Sequence, residues 1–109
     1  MINNQNIAPA KNGFVSYTFE GNVWTYNSPA SWYFVSVPKT ISEEIRTLFK
    51  QWEEGWGRLK CKAQIGKTVW ETAIWFDTKY EAYTLPIKAE IRKKENIQAD
   101  QHIVVYIKI

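Results

Sequence analysis

The chain has 109 residues, 45% hydrophobic and 16% aromatic, with six Trp, six Tyr and five Phe. That length predicts one domain with one core, and the aromatic content excludes intrinsic disorder. One Cys and one His exclude an internal disulfide, and a zinc site of the usual Cys/His kind without help from carboxylates or a second chain.

Fourteen Lys and Arg against eleven Asp and Glu leave a net charge of +3. The basicity is unevenly spread. Residues 58–67 carry Arg58, Lys60, Lys62 and Lys67 with no acid. Residues 88–95 carry Lys88, Arg92, Lys93 and Lys94 against Glu90 and Glu95. Residues 1–12 are polar and Asn-rich, without the apolar core of a signal peptide. They are expected to fray, leaving residues 13–109 as the domain. No apolar run is long enough for a membrane helix. The cytoplasm is the expected location, and no membrane partner is expected.

Along the chain, Val15, Tyr17 and Phe19 alternate with Ser16, Thr18 and Glu20, which predicts a first strand. Val23–Tyr26 also reads as strand, and Asn27–Ser31 has turn chemistry. Trp32–Val37 reads as a strand buried on both faces and ended by Pro38.

The period then changes. Ile41, Ile45, Leu48, Phe49 and Trp52 form one helical stripe. Thr40 with Glu43 fits a capping box, Ser42 is a competing cap, and Gly55 and Gly57 supply the stop.

Arg58–Phe76 reads as a hairpin around Gly66-Lys67, a type II′ turn. That register sets Lys62 opposite Glu71 and Arg58 opposite Trp75. Thr68, Trp70, Thr72 and Ile74 form the inner face of the return strand. Asp77–Lys79 turns the chain into a strand over Tyr80–Leu85. Pro86 opens a short basic helix over Ile87–Lys94. A turn at 98–101 leads to a last strand, His102–Ile109. The expected fold is mainly β, a barrel with one amphipathic and one short basic helix.

The segment Leu85-Pro86 to Ile97, followed by Asp100-Gln101-His102-Ile103, resembles the second half of the family called domain of unknown function 1905. Phe14–Gly21, Trp32–Pro38, the following helix, the Gly66 hairpin and Trp70 are similar to the rest of it. The resemblance implies a double-split β-barrel, distantly akin to the AbrB/MazE swapped-hairpin proteins, which are dimeric DNA-binding regulators and antitoxins. It implies no activity. The family's Gly-Asp is replaced by Asp100-Gln101, and Asp tolerates the left-handed conformation that such a turn needs.

The candidate chemistry is sparse. His102 and Cys61 read as a surface and a core residue, with no nucleophile elbow and no phosphate loop. No enzyme activity, cofactor or metal is therefore expected. Arg58, Lys60, Lys62, Lys67, Arg92, Lys93 and Lys94 are the candidate contacts for a nucleic acid or another anion. Trp32, Phe34, Phe49, Trp52 and Trp70 fall at core-like periods. Trp24, Tyr26, Trp56 and Trp75 are harder to bury together, and form the candidate patch for a small ligand or a protein. The expected function is a non-enzymatic binding module, a monomer or homodimer. The alternative is an AbrB-like nucleic-acid-binding regulator.

Overall fold

A computed structural model describes residues 15–26 and 32–109. The N-terminal segment expected to fray, and the turn residues 27–31, lie outside the described residues. Six strands form a closed barrel: β1 (Ser16–Tyr26), β2 (Trp32–Ser36), β3 (Arg58–Ile65), β4 (Thr68–Asp77), β5 (Ala82–Pro86) and β6 (His102–Lys108). Helix α1 (Lys39–Phe49) follows β2 and continues as one 3-10 turn, Lys50–Trp52. Helix α2 (Ala89–Glu95) joins β5 to β6. The strand order around the barrel is β1-β2-β5-β4-β3-β6, antiparallel throughout. The chain thus has the expected mainly-β barrel with two helices.

Alternation decides what fills the barrel. Leu59, Cys61, Ala63 and Ile65 of β3, and Ile103, Val105 and Ile107 of β6, all point inward and are buried. Side chains of strands alternate between faces, so Lys60, Lys62 and Val104 are left outside. The β3–β4 register is the expected one, with Lys62 opposite Glu71 and Arg58 opposite Trp75. Gly66 has φ +59° while Lys67 is not in the left-handed region, which fits a type II′ turn.

Three expectations need correction. First, β2 is not buried on both faces. Val35 is buried, but Trp32 is 60% exposed and Phe34 only half-buried. The outer face of β2 is covered by a ring of β1 rather than by a helix: Trp24 stacks on Phe34 at 4.7 Å. Trp52 is likewise exposed rather than core.

Second, α1 starts at Lys39, and neither Thr40 nor Ser42 caps it with a side chain. Pro38, at φ −52°, precedes the helix. Ser42 is fully buried instead. Its hydroxyl donates to the Val37 carbonyl at 3.1 Å and accepts from the Tyr83 N–H at 3.0 Å.

Third, Pro86 closes β5 rather than opening α2. The next residue still bonds across the strands, Ile87 N–H donating to the Tyr33 carbonyl at 2.8 Å. The chain therefore stays extended until Lys88, and α2 begins only at Ala89.

The two helices sit at opposite ends of the barrel. Helix α1 leaves the end of β2 and buries Ile45 and Phe49 near the start of β5. Helix α2 leaves the end of β5, and buries Ile91 while Ile87 precedes it. It ends on Asn96, at φ +54°, a left-handed C-cap. The turn before β6 forms with Asp100 in the left-handed region: it takes φ +67° and its N–H donates to the Val23 carbonyl at 2.8 Å.

Candidate functional site: a cavity at the mouth of the barrel

The start of β2, the start of β4 and the end of β5 lie at the α2 end of the barrel, by antiparallel pairing. Between them and α2 lies a cavity of about 500 Å³. Its walls are aromatic and apolar, from Trp32, Tyr33, Trp70, Pro86, Ile87 and Ala89. Its polar groups are Thr72, Lys88 and Arg92. Mostly apolar walls with a few placed polar groups are what small-molecule sites use.

Each side chain has a local reason to be there. Trp70 and Thr72 lie on the inward face of β4 with Ile74, four and two residues before it. Tyr33 shares the inward face of β2 with Val35. Trp32 stands at the rim, where β2 begins, stacked on Phe34 at 6.4 Å. Arg92 lies one residue after the buried Ile91, so it leans over the barrel mouth. Its guanidinium carbon sits 3.9 Å from the centre of the Tyr33 ring. The Arg92 Nε is shut off from solvent and makes no hydrogen bond with the described residues.

The other proposed anion contacts are scattered and largely paired. Arg58 bonds Glu54 at 2.7 Å and lies over Trp75 at 5.8 Å. Lys60 meets Glu54 at 3.7 Å, Lys62 meets Glu71 at 3.6 Å, and Lys94 meets Glu90 at 3.5 Å. Lys67 at the hairpin tip and Lys93 on α2 are exposed, with no ion pair among the described residues. Of the seven, only Arg92 lines the cavity.

The four aromatics also divide. Trp24 is half-buried, its Nε1–H donating to the Ser36 hydroxyl at 3.0 Å. Tyr26 is exposed at the end of β1, opposite Trp32. Trp56 is 92% exposed before β3, and Trp75 is partly exposed on β4. Strands β2 and β5 separate Trp24 from Trp75. None of the four lines the cavity. The cavity's own aromatics, Trp32, Tyr33 and Trp70, were not singled out by the sequence as ligand contacts. The available signal was the Trp32-Tyr33 pair beside turn residues, and a Trp on the same face as Thr72.

Cys61 points into the core, whereas His102 is exposed on the outer face of β6. His102 lies between Asn22 Oδ1 at 2.8 Å and Glu20 Oε1 at 2.7 Å. The barrel wall keeps the two apart, so they do not form a nucleophile–base pair. Among the described residues no group of three His, Cys, Asp or Glu side chains is placed to hold a metal. No helix among them is long and apolar enough to cross a membrane.

No curated protein matches the chain. The model of the family described as domain of unknown function 1905 matches residues 19–107, which takes in β2 to β5, most of β1 and β6, both helices and every residue of the cavity. The chain therefore belongs to the domain of unknown function 1905 family.

Proposed function

We propose that the protein is a non-enzymatic small-molecule-binding module whose ligand occupies the cavity between α2 and the barrel mouth. The observation that carries this reading is the cavity itself. About 500 Å³ lies within the range of ordinary ligand sites, and its lining joins two Trp, a Tyr and two cations. A folded core does not need such a space, because interiors pack to near-crystalline density.

The test is a ligand-observed NMR screen of aromatic and aliphatic fragments against the protein and an Ala89→Phe variant. Ala89 is exposed at the cavity wall, so a Phe there fills space without entering the core. Fragments that bind the parent and are lost in Ala89→Phe support the reading. Fragments that bind both equally, or none that bind, overturn it.

One observation favours the alternative, a nucleic-acid-binding regulator. Lys62 and Lys108 lie directly opposite each other across β3 and β6, beside the exposed Tyr106. Like charges facing each other are unfavourable unless a counter-charge is supplied. The pairing of Lys62 with Glu71 already supplies part of it. Fluorescence anisotropy with duplex and single-stranded DNA separates the two. The alternative requires binding at about 50 mM salt that falls steeply as salt rises and is lost in Lys62→Glu.

A further inference from the structure

We propose that the cavity takes a planar aromatic carboxylate, its ring against Trp32 and Trp70 and its carboxylate on Arg92. This rests on the cavity being a ligand site and names the chemistry it selects.

The charge of the cavity is the first argument. Its lining holds two cations, Lys88 and Arg92, and no acid. All eleven Asp and Glu of the chain lie at described positions. None of them pairs with Lys88 or Arg92, although they pair with seven other basic side chains. Arg92 is partly withdrawn from water without a counter-ion, which is unfavourable, and an incoming anion relieves that.

The second argument is an internal comparison. The molecule holds two arginines face-on to an inner ring. Arg46 lies 3.7 Å from the centre of Phe76, and Arg92 lies 3.9 Å from the centre of Tyr33. Both have an Nε hidden from solvent. Arg46 is matched by a carboxylate of the chain itself, Glu53, at 3.4 Å. Glu53 also accepts a hydrogen bond from the Tyr83 hydroxyl. Arg92 has the ring but no such carboxylate, and it faces a cavity instead. Stacking on the ring fixes the plane of the guanidinium, and a planar fork suits a carboxylate better than a tetrahedral anion.

The third argument is the remaining lining. Trp32 and Trp70 present flat apolar walls, which favour a planar ring over a branched aliphatic group. The Thr72 hydroxyl lines the same space with no hydrogen bond to the described residues, so it can serve one polar substituent of the ring.

Isothermal titration calorimetry with four probes tests this: 2-naphthoate, the neutral 2-naphthalenemethanol, the non-planar cyclohexanecarboxylate and 2-naphthyl phosphate. The expected result is 2-naphthoate binding at least tenfold more tightly than each of the other three. Arg92→Gln should erase the preference over the alcohol, with the larger loss of affinity falling on 2-naphthoate. Lys88 is exposed, so Lys88→Met tests the charge without touching the core, and it should cut the same preference severalfold at low salt. Ala89→Phe should abolish binding of both naphthalene probes. If both are abolished by Ala89→Phe but bind the parent equally, the cavity stands and the carboxylate assignment falls. The assignment also falls if 2-naphthyl phosphate binds more tightly than 2-naphthoate. Binding that Ala89→Phe leaves intact, or no binding of any probe, overturns the cavity reading as well.

Discussion

Asp100 carries a left-handed backbone, φ +67°, in a turn that bonds to β1 on both sides. Its own N–H donates to the Val23 carbonyl, and the Val23 N–H donates to the Gln101 carbonyl, each at 2.8 Å. The turn is therefore fixed by β1, and the residue must accept the conformation. Asp does so at a modest cost, and glycine would do so at less. Asp100→Gly is expected to stabilise the fold by about 0.5 kcal/mol, or roughly 2–4 °C in Tm. Asp100→Val, with a branched Cβ in the same conformation, is expected to cost at least about 1 kcal/mol. Thermal unfolding of the two variants checks this, and a loss in both would refute the backbone argument. Gly66 shows the opposite case. A Cβ there would collide with the Glu95 carboxylate, and φ is +59°, so Gly66→Ala meets both penalties. It is expected to cost about 1–2 kcal/mol in urea unfolding, with part recovered in Gly66→Ala/Glu95→Ala. Full loss in the double variant would leave only the backbone term. The Gly66 turn was legible because a hairpin needs a positive φ at a known place; Asp100 was legible only through the family resemblance.

At the level of elements, one polar cluster fixes the 3-10 turn after α1 to the barrel. Glu53 accepts from the Tyr83 hydroxyl and pairs with Arg46, while Arg46 lies on Phe76 and Phe76 meets Tyr83 edge-on at 5.1 Å. Burial, and then the bond to Glu53, push the Tyr83 phenol well above its ordinary value. Tyr17 moves the same way, by burial and its bond to Glu44. The folded state thus keeps protons that the unfolded chain releases near pH ~10. Stability is fully present below that pH and falls as pH rises beyond it. The urea midpoint is expected to be flat from neutral pH and to drop above about pH 10, less steeply in Tyr83→Phe. Tyr83→Phe itself should cost roughly 1.5–3 kcal/mol at neutral pH, because it removes a hydrogen bond to a charged group. A midpoint in Tyr83→Phe with the parent's pH profile would show that the cluster does not govern it. Elements of this kind were readable where a period or a turn announced them, as in the β3–β4 register and the helical stripe of α1. The cavity was not. Its walls come from residues near 32, 70 and 90, and only barrel closure brings them together. Trp32 and Trp70 looked alike in sequence, yet one sits at an open rim and the other at 9% exposure.

On the scale of the whole molecule, closure depends on the first and last strands meeting. β1 and β6 pair from Ser16↔Lys108 to Asn22↔His102, and β6 also pairs with β3. Every strand among the described residues therefore has both neighbours within one chain, although β3 and β6 meet only where Lys62–Gln64 pair with Tyr106–Lys108. In a swapped-hairpin dimer the partner supplies strands, so folding and association are one event, and stability rises with concentration. Here the barrel, its core and the cavity are all built by one copy. The urea midpoint is accordingly expected to be the same across a hundredfold range of protein concentration, and 2-naphthoate should raise it equally at each concentration when the probe is in large excess. A midpoint that climbs with concentration would mean that association contributes to folding. The outward-facing ladder of Trp24, Phe34 and the exposed Trp32 is the face to examine in that event. Trp32→Ser would then lower the midpoint most at high concentration. If the barrel is self-sufficient, it should lower the midpoint equally at all of them, and weaken the probe through the rim of the cavity alone.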